Sequence, residues 1–236
     1  MSERADGLRA ALPFDALLFD MDGLLVDTEP LWLETETEVM ARLGAPWGQE
    51  DQQALLGGSM ARTVAYVLSK ARVHPDELPS PEAIARWLLD GMLARAAAGR
   101  VAIQPGARAL LAEVAAAGLP YGLVTSSERE LAAAVLKATG FRFPVVVTGD
   151  DVVAHKPDPE PYLLAAALLG VDPARCVALE DSPNGVASAG AAGCLVVAVP
   201  SVLPVLPGRG RVIVQSLNEV NLEFLRLFAA QVGISG

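Results

Sequence analysis

Residues 19–32 read Phe19-Asp20-Met21-Asp22-Gly23-Leu24-Leu25-Val26-Asp27-Thr28-Glu29-Pro30-Leu31-Trp32, and they close the apolar run at residues 15–19. That run is short enough for a buried strand, and two acids, Asp20 and Asp22, straddle one residue where the strand would end. In open α/β sheets the carboxyl ends of strands are where ligands bind. The pair alone is weak evidence, because acids often cap turns and Asp22-Gly23 is itself a turn signal. Its weight comes from what surrounds it.

Working outward, similar short apolar runs recur at residues 121–124, 145–147, 177–179, 195–199 and 212–214. Helical patterns separate them. Residues 107–117 follow Pro105-Gly106 and stop at Gly118, and 128–139 stop at Gly140. Residues 159–169 stop at Gly170 and 183–192 at Gly193; glycine just past the last periodic residue is a stop signal. Short strands alternating with helices imply an α/β fold, a doubly wound parallel sheet of Rossmann-like type covered on both faces.

Residues 30–99 break the alternation. Leu31, Val39, Met40 and Leu43 fit one helix ending at Gly44; Met60, Val64, Val67 and Leu68 fit a second; Ile84, Leu88, Met92 and Leu93 fit a third. This reads as a helical cap inserted after the first strand, leaving residues 14–29 and 100–236 as the catalytic core. The competing reading is one long irregular α/β domain.

The 236 residues are 52% hydrophobic, enough for a core without staples, and the formal net charge is −10. An acidic surface repels phosphodiester backbones, which argues against nucleic acid as a partner. No apolar stretch is long enough to span a bilayer, and residues 1–13 lack the apolar centre of a signal peptide. They read as a frayed tail on a soluble, cytoplasmic protein. Cys176 and Cys194 show no metal spacing and read as buried reduced thiols.

The other strand ends supply the chemistry. Thr125-Ser126-Ser127 offers hydroxyls and turn amides suited to an oxyanion. Lys156 lies between a strand and a helix that Pro159 would start, and Glu180-Asp181 ends the next run. Carboxylates crowded at one sheet edge repel, and a dication relieves this, with Lys156 adding charge. Hard oxygen ligands select Mg²⁺, which keeps waters and shares phosphate oxygens. An aspartate can then attack a neutralised phosphate ester, while a second carboxyl group protonates the leaving alcohol and later activates water. Asp20 and Asp22 fit these tasks.

Asp20-x-Asp22-Gly23, Thr125, Lys156 and Glu180-Asp181, in this order, resemble the haloacid dehalogenase-like superfamily. The resemblance implies Asp20 as nucleophile and metal ligand. It makes Asp22 the general acid/base, giving its main-chain carbonyl to Mg²⁺. Thr125, Ser126 and Lys156 would hold the phosphoryl group, and Asp181 with Glu180 the metal. Members that dehalogenate or cleave carbon–phosphorus bonds lack the second aspartate, which is present here. The beta-phosphoglucomutase group shares the cap and the Glu-Asp pair. It carries a cap histidine where this chain has Trp32 and a cap arginine where this chain has Met60, with Arg62 close by. Residues 19–32 and 176–185 are similar to hexitol and 2-deoxyhexose 6-phosphate phosphatases. The expected reaction is hydrolysis of a small sugar or polyol phosphate, with a phosphosugar mutase as the alternative. A regulator that has lost catalysis is disfavoured, because every expected catalytic residue is present. Trp32 and Arg62 are the candidate cap residues for the leaving group, though Trp32 could equally pack the cap. His74 reads as a surface residue, and His155 adjoins the site through Lys156.

Overall fold

The computed structural model describes residues 12–55 and 58–232. Its first elements are β1 (Ala16–Phe19) and β2 (Val26–Asp27). Four helices follow: α1 (Glu29–Arg42), α2 (Gln49–Gln53), α3 (Met60–Lys70) and α4 (Pro81–Ala97). Next come β3 (Ala102–Ile103), α5 (Ala107–Ala116), β4 (Tyr121–Val124), α6 (Arg129–Thr139), β5 (Val145–Val147) and α7 (Glu160–Leu169). The chain ends with β6 (Cys176–Glu180), α8 (Pro183–Ala191), β7 (Leu195–Ala198), β8 (Arg211–Ile213) and α9 (Leu222–Val232).

Six strands form one parallel sheet in the order β5-β4-β1-β6-β7-β8. The chain winds outward from β1 through β4 to β5, then returns to pair β6 on the other side of β1. The order therefore reverses between β1 and β6, and the crevice at that switch point is where such sheets bind ligands. Strand periodicity divides the core. Leu17, Phe19, Leu123, Val177 and Leu179 face one layer with α5, α6 and α9. Ala16, Leu18, Val124 and Ala178 face the other, against Tyr162 and Ala165 of α7 and Ala189 of α8. Leu17 and Leu18 are both 0% exposed, and burial of each contributes about 2 kcal/mol. Because both faces are covered, every residue of β1 is apolar, which is why the run at 15–19 reads as continuous rather than alternating.

The segment between β2 and β3 has its own apolar cluster, built from Val39, Met40, Leu43, Val64, Val67, Ile84 and Leu88 of α1, α3 and α4 and the residues beside them. Ser59 and Ser80 cap α3 and α4 by accepting from Arg62 N and Ala83 N. β2 and β3 pair antiparallel, Val26 with Ile103 and Asp27 with Ala102, so the chain leaves and rejoins the sheet region at one place. Trp32 packs against both this cluster and the larger layer.

The strand and helix positions agree with those expected to within about a residue. The β2–β3 pair, α2 and α9 were not anticipated. Of the tail expected over residues 1–13, residues 1–11 lie outside the described residues, as do 233–236. Cys176 and Cys194 are buried and free. Among the described residues no helix is long and apolar enough to cross a membrane.

Candidate active site

Parallel pairing carries three strand ends to one crevice. Phe19 is in register with Leu179 of β6 and Leu123 of β4, and Asp20 N donates to Leu179 O at 3.0 Å. Asp20 and Thr125 thus follow their strands, and Glu180 ends its own, at the same edge. A cavity at this edge is lined by Asp20, Asp22, Thr125, Ser126, Ser127, Lys156 and Asp181, and on the helical side by Glu29, Trp32, Glu36, Gln52 and Met60.

Lys156, 6% exposed, reaches across the crevice from the loop before α7. Its Nζ donates to Asp20 Oδ1 at 2.7 Å, Glu180 Oε1 at 2.6 Å and Val124 O at 2.9 Å, which uses all three of its donors. Burial pulls its pKa down, but the charges of Asp20 and Glu180 reverse this and hold it above the ordinary lysine value. Glu180 is fully buried; Tyr162 Oη donates to its Oε1 at 2.6 Å and Asp181 N to its Oε2 at 3.2 Å.

Asp22 is aimed by hydroxyls. Thr28 Oγ1 donates to its Oδ1 at 2.6 Å, and Ser127 Oγ and Thr125 Oγ1 to its Oδ2 at 2.8 and 3.3 Å. Backbone makes room for the turn around it. Gly23 has φ of 83°, and a Cβ there would overlap the Asp181 carboxylate, whose Oδ2 accepts from Ser201. Gly185 matters in the same way: a Cβ on it would overlap the Glu180 carboxylate.

Carboxylate oxygens of Asp20, Glu180 and Asp181 lie within 4.8 Å of one another. Burial raises both aspartates well above the ordinary range, Glu180 raises them further, and Lys156 offsets only part of this. Three buried acids facing one ammonium leave excess negative charge, and hard oxygens are the donors a small dication prefers. The residues present therefore fit Mg²⁺.

The helical side is also acidic. Burial, with Asp22 and Glu36 adding to it, pushes Glu29 up to about 8. Burial pushes Glu36 up to about 7, and does the same to Glu128, which follows Ser127 on the sheet side of the cavity. Gln52 Nε2 holds Glu29 Oε2 at 3.0 Å, and Trp47 Nε1 holds Glu36 Oε2 at 2.9 Å.

The structure brings Asp20, Asp22, Thr125, Ser126, Lys156, Asp181 and Trp32 to one cavity, with Glu180 directly behind it. It does not bring Arg62 there: that side chain is exposed and its Nη2 donates to Ala54 O at 2.7 Å, bracing the turn before α3. His74 is exposed, as expected, and His155 is partly buried. Sequence reading missed Tyr162, Ser201, Glu29, Glu36, Gln52 and Glu128. Only Glu29 had a signal, its place within the opening motif.

Three comparisons with known proteins bear on this site. A family model described as haloacid dehalogenase-like hydrolase matches residues 17–199. Hexitol phosphatase A of Escherichia coli is 38% identical over 187 residues, covering 77% of this chain and 81% of that protein. The crystal structure of a CbbY mutant from Rhodobacter sphaeroides, in complex with xylulose-(1,5)bisphosphate, superposes with a TM-score of 0.79 at 32% identity, covering 87% of this chain and 96% of that one. The beta-phosphoglucomutase of Clostridium difficile shares the fold, with a TM-score of 0.79 at 21% identity over 92% and 98% of the two chains.

Proposed function

This chain belongs to the haloacid dehalogenase-like hydrolase family and is a phosphatase, and from that premise we propose that it is a Mg²⁺-dependent phosphomonoester hydrolase acting through an aspartyl-phosphate on a small sugar or polyol phosphate in the cytoplasm. The observation that carries this reading is the Lys156 bridge between Asp20 and Glu180 beside an Asp22 aimed by three hydroxyls. One carboxylate is fixed for attack and a second, two residues on, is fixed for proton transfer.

In this mechanism Asp20 attacks phosphorus and the ester oxygen leaves with a proton from Asp22. Asp22, now ionised, takes a proton from water, which attacks the aspartyl-phosphate and frees phosphate and Asp20. Thr125, Ser126 and Lys156 hold the phosphoryl oxygens, and Lys156 also keeps Asp20 in its rotamer. Asp20, Glu180 and Asp181, with the main-chain carbonyl of Asp22, would hold Mg²⁺, which when bound neutralises charge developing on the phosphoryl group.

Residues 30–99 act as a cap over residues 14–29 and 100–236, supported by their separate apolar cluster. Trp32 then meets the leaving group. The mutase reading shares these core residues, but Trp32 and Met60 stand where that group has a histidine and an arginine. Phosphate release from hexose and hexitol phosphates, with and without Mg²⁺, for wild type and Asp20→Asn tests the proposal. Metal-dependent release by wild type alone is expected. Substantial release by folded Asp20→Asn sinks the nucleophile assignment, and rearranged sugar with little free phosphate favours the mutase.

A further inference from the structure

The segment between β7 and β8, residues 199–210, carries none of the sequence motifs, yet it gives Ser201 and Leu203 to the cavity. The sheet sets where it starts. Glu180 is in register with Ala198, and Val199 N donates to Glu180 O at 2.7 Å, so pairing with β6 runs one residue past the end of β7. Pro200 has no N–H to continue the ladder, and its ring fixes φ. Ser201 therefore emerges beside Asp181. Farther along, Val205 is buried in the layer that holds α7 and α8, and Arg211 Nη1 donates to Leu206 O at 2.6 Å. The segment is anchored on both sides of its two cavity-lining residues.

Ser201 Oγ donates to Asp181 Oδ2. Gly23, with φ of 83°, lies against the same oxygen: a Cβ there would fall 1.9 Å from Asp181 Oδ2 and 3.0 Å from Ser201 Oγ. Three segments far apart in the chain thus close on one carboxylate oxygen. Asp181 is 5% exposed, whereas Ser201 is a surface residue whose hydroxyl turns inward.

Resting on the reading that Asp181 holds Mg²⁺, we propose that Ser201 is a positioning residue, whose hydroxyl fixes the Asp181 carboxylate in the orientation that takes the metal. The terminal torsion of an aspartate is broad, so an unrestrained carboxylate turns easily about it. Gly23 leaves room for Oδ2, and Ser201 keeps it there. A neutral donor does this without cancelling the charge that the dication needs. Lys156 cannot substitute, because its three donors go to Asp20, Glu180 and Val124 O. Outer partners of metal-ligating carboxylates typically change metal affinity by about 10–100-fold when removed.

The experiment follows the Tm of the full chain against Mg²⁺ concentration, without substrate and after treatment with EDTA. Metal that binds only the folded site raises Tm, and the concentration dependence of the rise reads Kd without turnover. Ser201→Ala is expected to weaken Mg²⁺ binding about tenfold. Ser201→Thr keeps the hydroxyl and should bind Mg²⁺ as wild type does, as should Val202→Ala, which trims the exposed neighbour. All four proteins should melt together in EDTA. In steady-state assays Ser201→Ala should need about tenfold more Mg²⁺ for half its maximal rate and regain kcat at saturating Mg²⁺. A merely structural role would instead lower Tm in EDTA and kcat at saturating metal while leaving Kd alone. An unchanged Kd in Ser201→Ala, or a Kd in Ser201→Thr as weak as in the alanine variant, overturns the proposal. A wild-type Tm that ignores Mg²⁺ removes it together with the metal reading. Wild type that binds Mg²⁺ but releases no phosphate from sugar phosphates sinks the proposed reaction alone, and the Kd values still decide the role of Ser201.

Discussion

The Tyr162 hydroxyl donates to Glu180 Oε1 at 2.6 Å, the same oxygen that accepts from Lys156 Nζ. Tyr162 is itself fully buried in the layer under α7. A core aromatic thus sets the position of the carboxylate that sets the position of the lysine. Tyr162→Phe keeps the packing and removes one hydrogen bond, so a loss of about 1–2 kcal/mol is expected. Lys156 retains Asp20 and Val124 O, so kcat should fall less than about tenfold. Glu180→Gln, which removes the charge facing Lys156, should fall much further. Urea unfolding and steady-state kinetics on both variants check this ordering, and equal losses of activity would contradict it.

The contact between Gly185 and Glu180 gives a second expectation. A methyl group at residue 185 would overlap the Glu180 carboxylate, and a buried carboxylate bonded to Lys156 and Tyr162 has little room to yield. Gly185→Ala should destabilise by about 1–3 kcal/mol and lower kcat, whereas alanine at Gly190, which meets nothing within 4 Å, should do neither. Equal behaviour of the two variants would mean that the helix can shift at no cost.

These two residues show what sequence carries and what it does not. Asp20 and Asp181 were legible because each closes an apolar run, and Lys156 because it lies between a strand and a helix; a parallel sheet brings the ends of adjacent strands to one edge. Tyr162 was not legible. It sits in the apolar series of α7, and only the tertiary packing of that helix turns its hydroxyl toward Glu180. Glu36 and Gln52 were hidden for a related reason: a polar residue on a helix reads as solvent-facing until another layer is seen to cover it. Arg62 differs: its place two residues from Met60 suggested the cavity, but its guanidinium donates to Ala54 O in the turn before α3 and is not among the lining residues. The β2–β3 pair had no signal, since two residues show no periodicity.

Glu36 links the fold to pH. Its carboxyl, 3% exposed, keeps its proton up to about 7, mainly through burial. Unfolded, it ionises near its ordinary value of 4.5. Between these values the folded chain binds more protons than the unfolded one, so stability falls as pH rises through that window. The wild type should lose about 2 kcal/mol from this group between pH 4.5 and 7. Glu36→Gln can still accept from Trp47 Nε1 and should lack this part of the slope. Urea melts of both proteins at intervals across the window measure the difference, and parallel slopes would refute it.

Chelation should stop turnover. With Asp20, Glu180 and Asp181 clustered beside one ammonium, removing a dication leaves burial and mutual repulsion to disfavour the charged form of both aspartates, the nucleophile included. EDTA should abolish phosphate release and Mg²⁺ restore it. Ca²⁺, which takes more ligands at longer distances, should restore it poorly. A readout independent of activity is available: Mg²⁺ should raise the Tm of wild type, because it binds the folded site alone, and raise that of Asp181→Asn much less. Full activity after exhaustive chelation, confirmed by metal analysis, would remove the metal from the mechanism.

Trp32 bears on selectivity. It lines the cavity, and it also packs against both the larger apolar layer and the cluster of α1, α3 and α4. Lining and packing are therefore both true of it, and they predict different outcomes on truncation. Lost packing alone lowers stability by about 3–5 kcal/mol and reduces the folded, active fraction by one factor for every substrate. Lost lining alters the contact with the leaving group, which differs between substrates, while Asp20, Lys156 and the metal meet the phosphate they share. Trp32→Phe retains an aromatic ring for the packing and changes the surface offered to substrate, so it separates the two better than alanine. The ranking of kcat/KM across hexose, hexitol and p-nitrophenyl phosphates is expected to change in Trp32→Phe, with p-nitrophenyl phosphate moving least. Arg62 is not itself among the lining residues, but the turn it braces contributes Leu55 and Gly58 to the cavity, so Arg62→Ala should change the ranking less than Trp32→Phe. A uniform fall across the panel for Trp32→Phe would mean that this residue only holds the two apolar clusters together and does not meet the leaving group.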